Sequence, residues 1–219
     1  MKLNTWGGVR EGAGRKPKGE KAGVPHRTRG PLASRYPLHL TWRMRDHVWN
    51  LRSRRSYKVI EAALFKALHL QGFRVVHYSV QGNHLHLIVE ARDVEMLYTG
   101  FRRLGVRIAM GLNRLMKRHG PVFSDRYHAR WLGTPSEVRN AIAYVLQNFR
   151  RHAQEWGERL PPGWIDPCSS AAVLIGWRGA VTLPDTGPPP VSEPRTWLLE
   201  TGWRRRGLLS LRHVPGRLS

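Results

Sequence analysis

Acidic residues and cysteine are the scarce components of this 219-residue chain: 15 Asp and Glu stand against 37 Lys and Arg, and Cys168 is the one cysteine. A single cysteine excludes an intramolecular disulfide and a cysteine-built zinc site, and it suits a reducing cytoplasm. Long apolar runs are missing as well. The longest, Ala171 to Trp177, falls far short of the roughly 20 residues a membrane-spanning helix needs. A secretory apolar segment is not in evidence, because Gly, Arg and Lys interrupt the first residues from Gly7 onward. These absences predict a soluble, cytoplasmic protein without a membrane partner.

The shortage of acid leaves a formal net charge of +22 and a sequence pI near 11.5. A compact domain with that excess repels itself unless a polyanion neutralises it, so nucleic acid is the expected partner. Hydrophobic content of 41% suffices for one core of about 120–150 residues. The charge divides unevenly, with +6 in residues 1–30, +13 in 31–160 and +3 in 161–219. The first zone is poor in large apolar residues and reads as a disordered basic arm. Within it, Gly14-Arg15-Lys16-Pro17 is similar to the core of an AT-hook, an Arg-rich segment that lies in a narrow minor groove. An unspecific basic tail is the plainer alternative. The last zone opens on Pro161-Pro162, contains the Pro-rich stretch 184–194, and reads as linker and basic, Trp-containing tail.

The middle zone is periodic. Leu38, Leu40 and Trp42 alternate with His39, Thr41 and Arg43 as in a strand. Ile60, Ala63, Leu64, Ala67 and Leu68 recur at helical spacing between Lys58 and Leu70. Phe73–Val80 and His84–Ala91 read as two strands joined by Gln81-Gly82-Asn83. A long helix from about Asp93 to Arg118 places Leu97, Phe101, Leu104, Ile108 and Leu115 on its core stripe and Arg102, Arg103 and Arg107 elsewhere. A strand near Tyr127–Leu132 follows, and Thr134-Pro135-Ser136-Glu137 starts a last helix. The order β-α-β-β-α-β-α predicts an α+β, ferredoxin-like split βαβ domain: an antiparallel sheet with helices on one face, plus a C-terminal helix.

Two features of this frame can carry chemistry. On a strand, His84 and His86 point to one face about 7 Å apart, opposite Leu85 and Leu87, and two imidazoles so placed can converge on one divalent ion. Two half-buried histidines of no special role are the bland alternative. On the last helix Tyr144 lies roughly 130° from the stripe formed by Val138, Ile142, Val145 and Phe149, with Asn148 one turn later on its own side. A phosphodiester is cleaved by in-line attack once a cation neutralises its oxygens, and a tyrosine hydroxyl then gives a covalent phosphotyrosine. His84, His86 and the Asn148 side-chain oxygen would supply three ligands and leave positions open for phosphate.

The segment Gly82-Asn83-His84-Leu85-His86-Leu87-Ile88 resembles the HUH motif of single-tyrosine transposases, in which U is apolar. Tyr144-Val145-Leu146-Gln147-Asn148 is similar to their tyrosine helix, and Gly120–His128 to the segment leading into their last strand. The likeness spans about residues 35–152 and is greatest to REP-associated tyrosine transposases. It implies a catalytic Tyr144, Mg²⁺ or Mn²⁺ as cofactor, single-stranded or hairpin DNA as partner, and a 5′-phosphotyrosine intermediate with a free 3′-OH. Phe149 follows Asn148 where relatives commonly have Pro, which leaves Gln147 as a neighbouring alternative ligand. Paired histidines also suit Zn²⁺ at least as well as Mg²⁺.

Arg15, Lys16, Arg102, Arg103, Arg107, Arg126, Arg151, Arg204, Arg205 and Arg206 are the cations expected on DNA. Trp197 and Trp203 either stack on bases or pack the tail against the domain. The rival readings are a non-catalytic module that grips hairpin DNA or RNA, and a ribosome-associated protein. The sheet lacks the aromatic RNA-binding signature, and monomer and homodimer both stay open.

Overall fold

The computed structural model describes residues 33–185 and 187–212; the segment 1–30, with Arg15 and Lys16, lies outside the described residues. The alternating segment forms strand β1 (Leu38–Arg43), followed by helix α1 (Arg54–Ala67), strands β2 (Phe73–Val80) and β3 (His84–Ala91), helix α2 (Val94–Leu115), strand β4 (His128–Trp131) and helix α3 (Pro135–Glu155). The four strands make one antiparallel sheet in the order β2-β3-β1-β4. This is the expected split βαβ arrangement.

Side-chain alternation decides what each face carries. Leu38, Leu40 and Trp42 of β1 join Leu85, Leu87 and Val89 of β3 in a core closed by α1 and α2. The opposite face is mixed. Val76 and Ile88 pack with Val138, Ile142 and Val145 of α3, while the histidines of β1 and β3 occupy the rest. A register shift between Val75 and His77 puts an extra residue into β2, so Val76 serves one core and Tyr78 the other.

Helix ends follow local capping chemistry. Helix α1 starts at Arg54, ahead of its apolar repeat, because the Ser53 hydroxyl accepts the Ser56 N–H. Helix α2 stops at Leu115 rather than Arg118. Lys117 adopts φ 51°, and the N–H groups of Lys117 and Arg118 return to the carbonyls of Arg114 and Asn113, a Schellman closure. Leu112 therefore takes the buried place expected of Leu115. At α3 the Thr134–Glu137 capping box forms with Pro135 in the first turn.

The layer above β1 is tight at Gly105. A methyl group there would meet the Trp42 ring at 2.1 Å. Gly105→Ala is expected to lower the unfolding free energy by about 1–3 kcal/mol through overpacking, even though alanine favours a helix by about 1 kcal/mol. Chemical denaturation checks this, and an unchanged or raised midpoint refutes it.

Beyond α3 the chain returns to the domain. Ile165, Ala171, Leu174, Leu198, Leu199, Trp203 and Leu209 are buried in the α3 cluster. Trp203, 1% exposed, is packing. The exposed edge of β2 is covered as well: the Val80 N–H donates to the Cys168 carbonyl at 2.8 Å, and the Ser192 N–H to the Val75 carbonyl at 2.8 Å. Arg52 grips buried Asp166 through two hydrogen bonds of 2.8 and 2.9 Å and lies over the Phe149 ring at 3.9 Å. Phe149 thus anchors the returning chain beneath α3. Among the described residues no helix is long and apolar enough to cross a membrane.

Candidate active site

The register of the sheet assembles the site. Thr41 of β1 lies opposite His86 of β3 and His128 of β4, while Arg43 lies opposite His84 and His39 opposite Arg130. All are on the face that carries α3. They line a cavity of about 330 Å³, and Tyr144 closes its other side.

His84 and His86 converge as their spacing predicts, with their Nε2 atoms 3.0 Å apart. Their outer nitrogens are held. His84 Nδ1 lies 2.8 Å from Asn83 Oδ1, which can only accept, so Nδ1 is the donor and the neutral ring keeps a lone pair on Nε2. His86 Nδ1 lies 3.1 Å from Thr41 Oγ1 and 3.2 Å from His39 Nε2. When His86 donates from Nδ1, both Nε2 lone pairs face one point, an arrangement that a cation between them satisfies.

All three rings favour the neutral, ligand-competent form. Burial, reinforced by His128 and Arg130, pulls His39 down to about 4. Burial, with His152 and Arg43 nearby, does the same to His84. His86 falls well below the usual imidazole range through burial first, then through His84, His39 and His152.

Tyr144 sits half-buried on α3. Its ring meets His86 edge-on at 5.1 Å between centroids and His39 at 5.9 Å. Asn148, one turn on, is 2% exposed and does not line the cavity. Its Oδ1 is buried without a hydrogen-bond partner. A buried amide oxygen left unpaired costs about 1–3 kcal/mol, so it is suited to accept from, or ligate, something else. Gln147 Oε1 is buried and unpaired in the same way, while its Nε2 donates to the Ser210 carbonyl of the tail at 3.0 Å. Among the described residues no three His, Cys, Asp or Glu side chains gather to hold a metal. A third protein ligand would come from an amide or hydroxyl oxygen, and the unpaired amide oxygens of α3 are those of Asn148 and Gln147. Two imidazoles and one amide fit a divalent ion with open positions.

The cations expected on DNA are dispersed. Arg102, Arg103 and Arg107 are exposed on α2, across the sheet from the histidines. Arg126 is exposed in the loop before β4, and Arg151 pairs with Glu155 at 3.1 Å. Arg204, Arg205 and Arg206 are exposed in a short 3₁₀ turn, Gly202–Arg206, with Arg204 over Trp203 and Arg205 over Trp197. The cavity instead presents Arg43, His128 and Arg130, the last 3.7 Å from Glu137. The alternation of β1 already put His39 and Arg43 on one polar face. Only the pairing of β1 with β3 and β4 reveals what that face meets.

No protein-family model matches the chain, and no curated protein matches it. Among solved structures, a REP-associated tyrosine transposase bound to a REP hairpin is similar at a TM-score of 0.53 and 16% identity, over 77% of this chain and 100% of that one. A Deinococcus radiodurans structure described as that of a transposase aligns at a TM-score of 0.38 and 13% identity, over 62% of this chain and 95% of that one, and carries no argument at that score. The first likeness establishes a shared fold.

Proposed function

We propose, from that shared fold and the histidine–tyrosine cavity, that this chain is a transposase-like enzyme that cuts and rejoins single-stranded, hairpin-associated DNA through Tyr144. The observation that carries the reading is the convergence of His84 and His86 at 3.0 Å with the Tyr144 ring 5.1 Å from His86. Neither a solvated histidine pair nor a simple DNA-gripping domain requires a tyrosine there.

In the proposed reaction Tyr144 Oη attacks phosphorus and loses its proton. The Tyr–phosphate bond forms, the bond from phosphorus to the 3′-oxygen breaks, and that oxygen leaves as a 3′-hydroxyl after taking up a proton. Rejoining is the reverse, with the 3′-hydroxyl attacking the phosphotyrosine. Arg43, Arg130 and His128 line the same cavity and are suited to hold the phosphate oxygens. His84, His86 and Asn148 would hold a divalent ion, Mg²⁺ or Mn²⁺, which when bound supplies charge neutralisation at the phosphate. Thr41 and His39 fix the orientation of His86.

Binding has its own expected signature. Lys and Arg displace counterions from a single strand, so five phosphate contacts give a log–log salt slope of roughly −3.5. Fluorescence anisotropy with hairpin DNA over a salt series measures it, and a flat affinity rules out an electrostatic grip.

A further inference from the structure

The arginines of the returning tail and of the strand ends enclose a second cavity, of about 770 Å³, separate from the histidine site. It lies on the same sheet face, because Glu90 at its floor shares strand parity with His84 and His86. Four residues along β3 separate Glu90 from His86, about 13 Å.

Arg35, Arg74, Arg92 and Arg195 line this cavity, with Glu90 the one acid among its walls. Glu90 is 3% exposed and already engaged: it accepts the backbone N–H of Arg195 at 2.9 Å and of Thr196 at 2.8 Å. Arg74 lies 3.8 Å from it. The carboxylate is thus occupied in fixing the tail, and the cavity is left with a surplus of guanidinium groups, the donors that match phosphate oxygens.

Tyr36 and Trp197 add aromatic surface to the same walls. Trp197 stays 48% exposed although Gly202 packs against its ring, whereas Trp203 of the same tail is 1% exposed. Arg205 lies 4.9 Å from the centre of this indole, so a stacking base uses the ring surface left exposed. An indole beside several arginines in a nucleotide-sized hollow combines a stacking platform with a cationic groove.

We propose that this cavity is a second DNA subsite, taking one unpaired nucleotide of the strand whose backbone is cut at Tyr144. Its base stacks against Trp197 or Tyr36, and its phosphate rests among Arg35, Arg74 and Arg195. The source of the nucleotide, a strand rather than a free mononucleotide, rests on the function proposed above. The subsite fixes the distance between a recognised base and the scissile phosphate.

The test uses the full chain in EDTA, so that binding is read without cleavage. Probes are a hairpin with a single-stranded extension and a deoxynucleoside monophosphate. Trp197→Leu is expected to weaken hairpin binding about tenfold through the lost stacking surface, and Arg195→Gln to weaken it while the backbone contacts to Glu90 persist. The second variant keeps the test valid if the first loosens the tail. An iodouracil walked along the extension is expected to crosslink to Trp197 or Tyr36 at one offset from the foot of the hairpin. Unchanged affinity in both variants, or crosslinks at no fixed position, overturns the subsite. Monophosphate binding that the hairpin does not displace overturns the strand as its source. Because Tyr144 chemistry plays no part in these readings, loss of the cleavage proposal and loss of the subsite are told apart.

Discussion

Tyr144→Phe is expected to abolish the covalent protein–DNA adduct while hairpin DNA stays bound with unchanged affinity. The substitution removes one oxygen and leaves the ring that packs edge-on against His86 and His39. Tyr144 is the one tyrosine among the described residues that line the cavity, and the Thr41 hydroxyl there is engaged with His86 at 3.1 Å. Tyr78, the tyrosine of β2, is fully buried in the opposite core and bonded to Tyr57 at 2.9 Å. Denaturing electrophoresis of 5′-labelled hairpin DNA incubated with protein and Mn²⁺ reads the adduct. An adduct that persists moves the nucleophile elsewhere, and Tyr127 is the next candidate. No adduct from the unmodified chain over varied hairpins supports the non-catalytic binding module instead.

His86→Ala carries the second large effect, because it removes a proposed ligand nitrogen and the ring on which Tyr144, His39 and Thr41 converge. Mn²⁺ affinity, read by titration calorimetry, is expected to fall beyond measurement, and the adduct to vanish with it. Thr41→Val is the comparison. It keeps shape and loses only the supporting hydroxyl, so the metal should weaken by about 10–100-fold. Tyr144→Phe should bind Mn²⁺ as the unmodified chain does. Asn148→Ala is expected to weaken the metal less than His86→Ala does, because Gln147 Oε1, also buried and unpaired, or water can take the lost place. A His86→Ala protein that binds Mn²⁺ normally removes the histidine pair from the metal site and leaves it as sheet filling.

The sequence made the strands and the histidine pair readable, because period-two alternation is a local property: Phe73–Val80 and His84–Ala91 can be bounded from their residues alone. The last helix was legible for the same reason, through its capping box. What escaped depends on distant pairings. His39 stands 47 positions from His86 and meets it only through the β1–β3 register. The roles of Phe149, as the seat of Arg52, and of Glu90, as the anchor of the tail, follow from contacts more than 90 residues apart. No periodicity foreshadows such contacts. The tail itself lacks a repeating pattern, and its apolar residues gain meaning only against the groove that α3 leaves.

Strand β1 is first among the described strands yet lies between β3 and β4 in the sheet. On the ribosome it can pair with β3 early, but its other side waits for residues near 130, and Tyr144 of α3 follows later still. Closing such long loops costs conformational entropy before any contact repays it, which slows this domain relative to a helical bundle of its size. Until Cys168 and Ser192 arrive, the edge of β2 is bare, a surface on which incomplete chains stick to one another. A partly synthesised chain therefore holds both histidines without Tyr144, and a ribosome that stalls early releases only half of the proposed site.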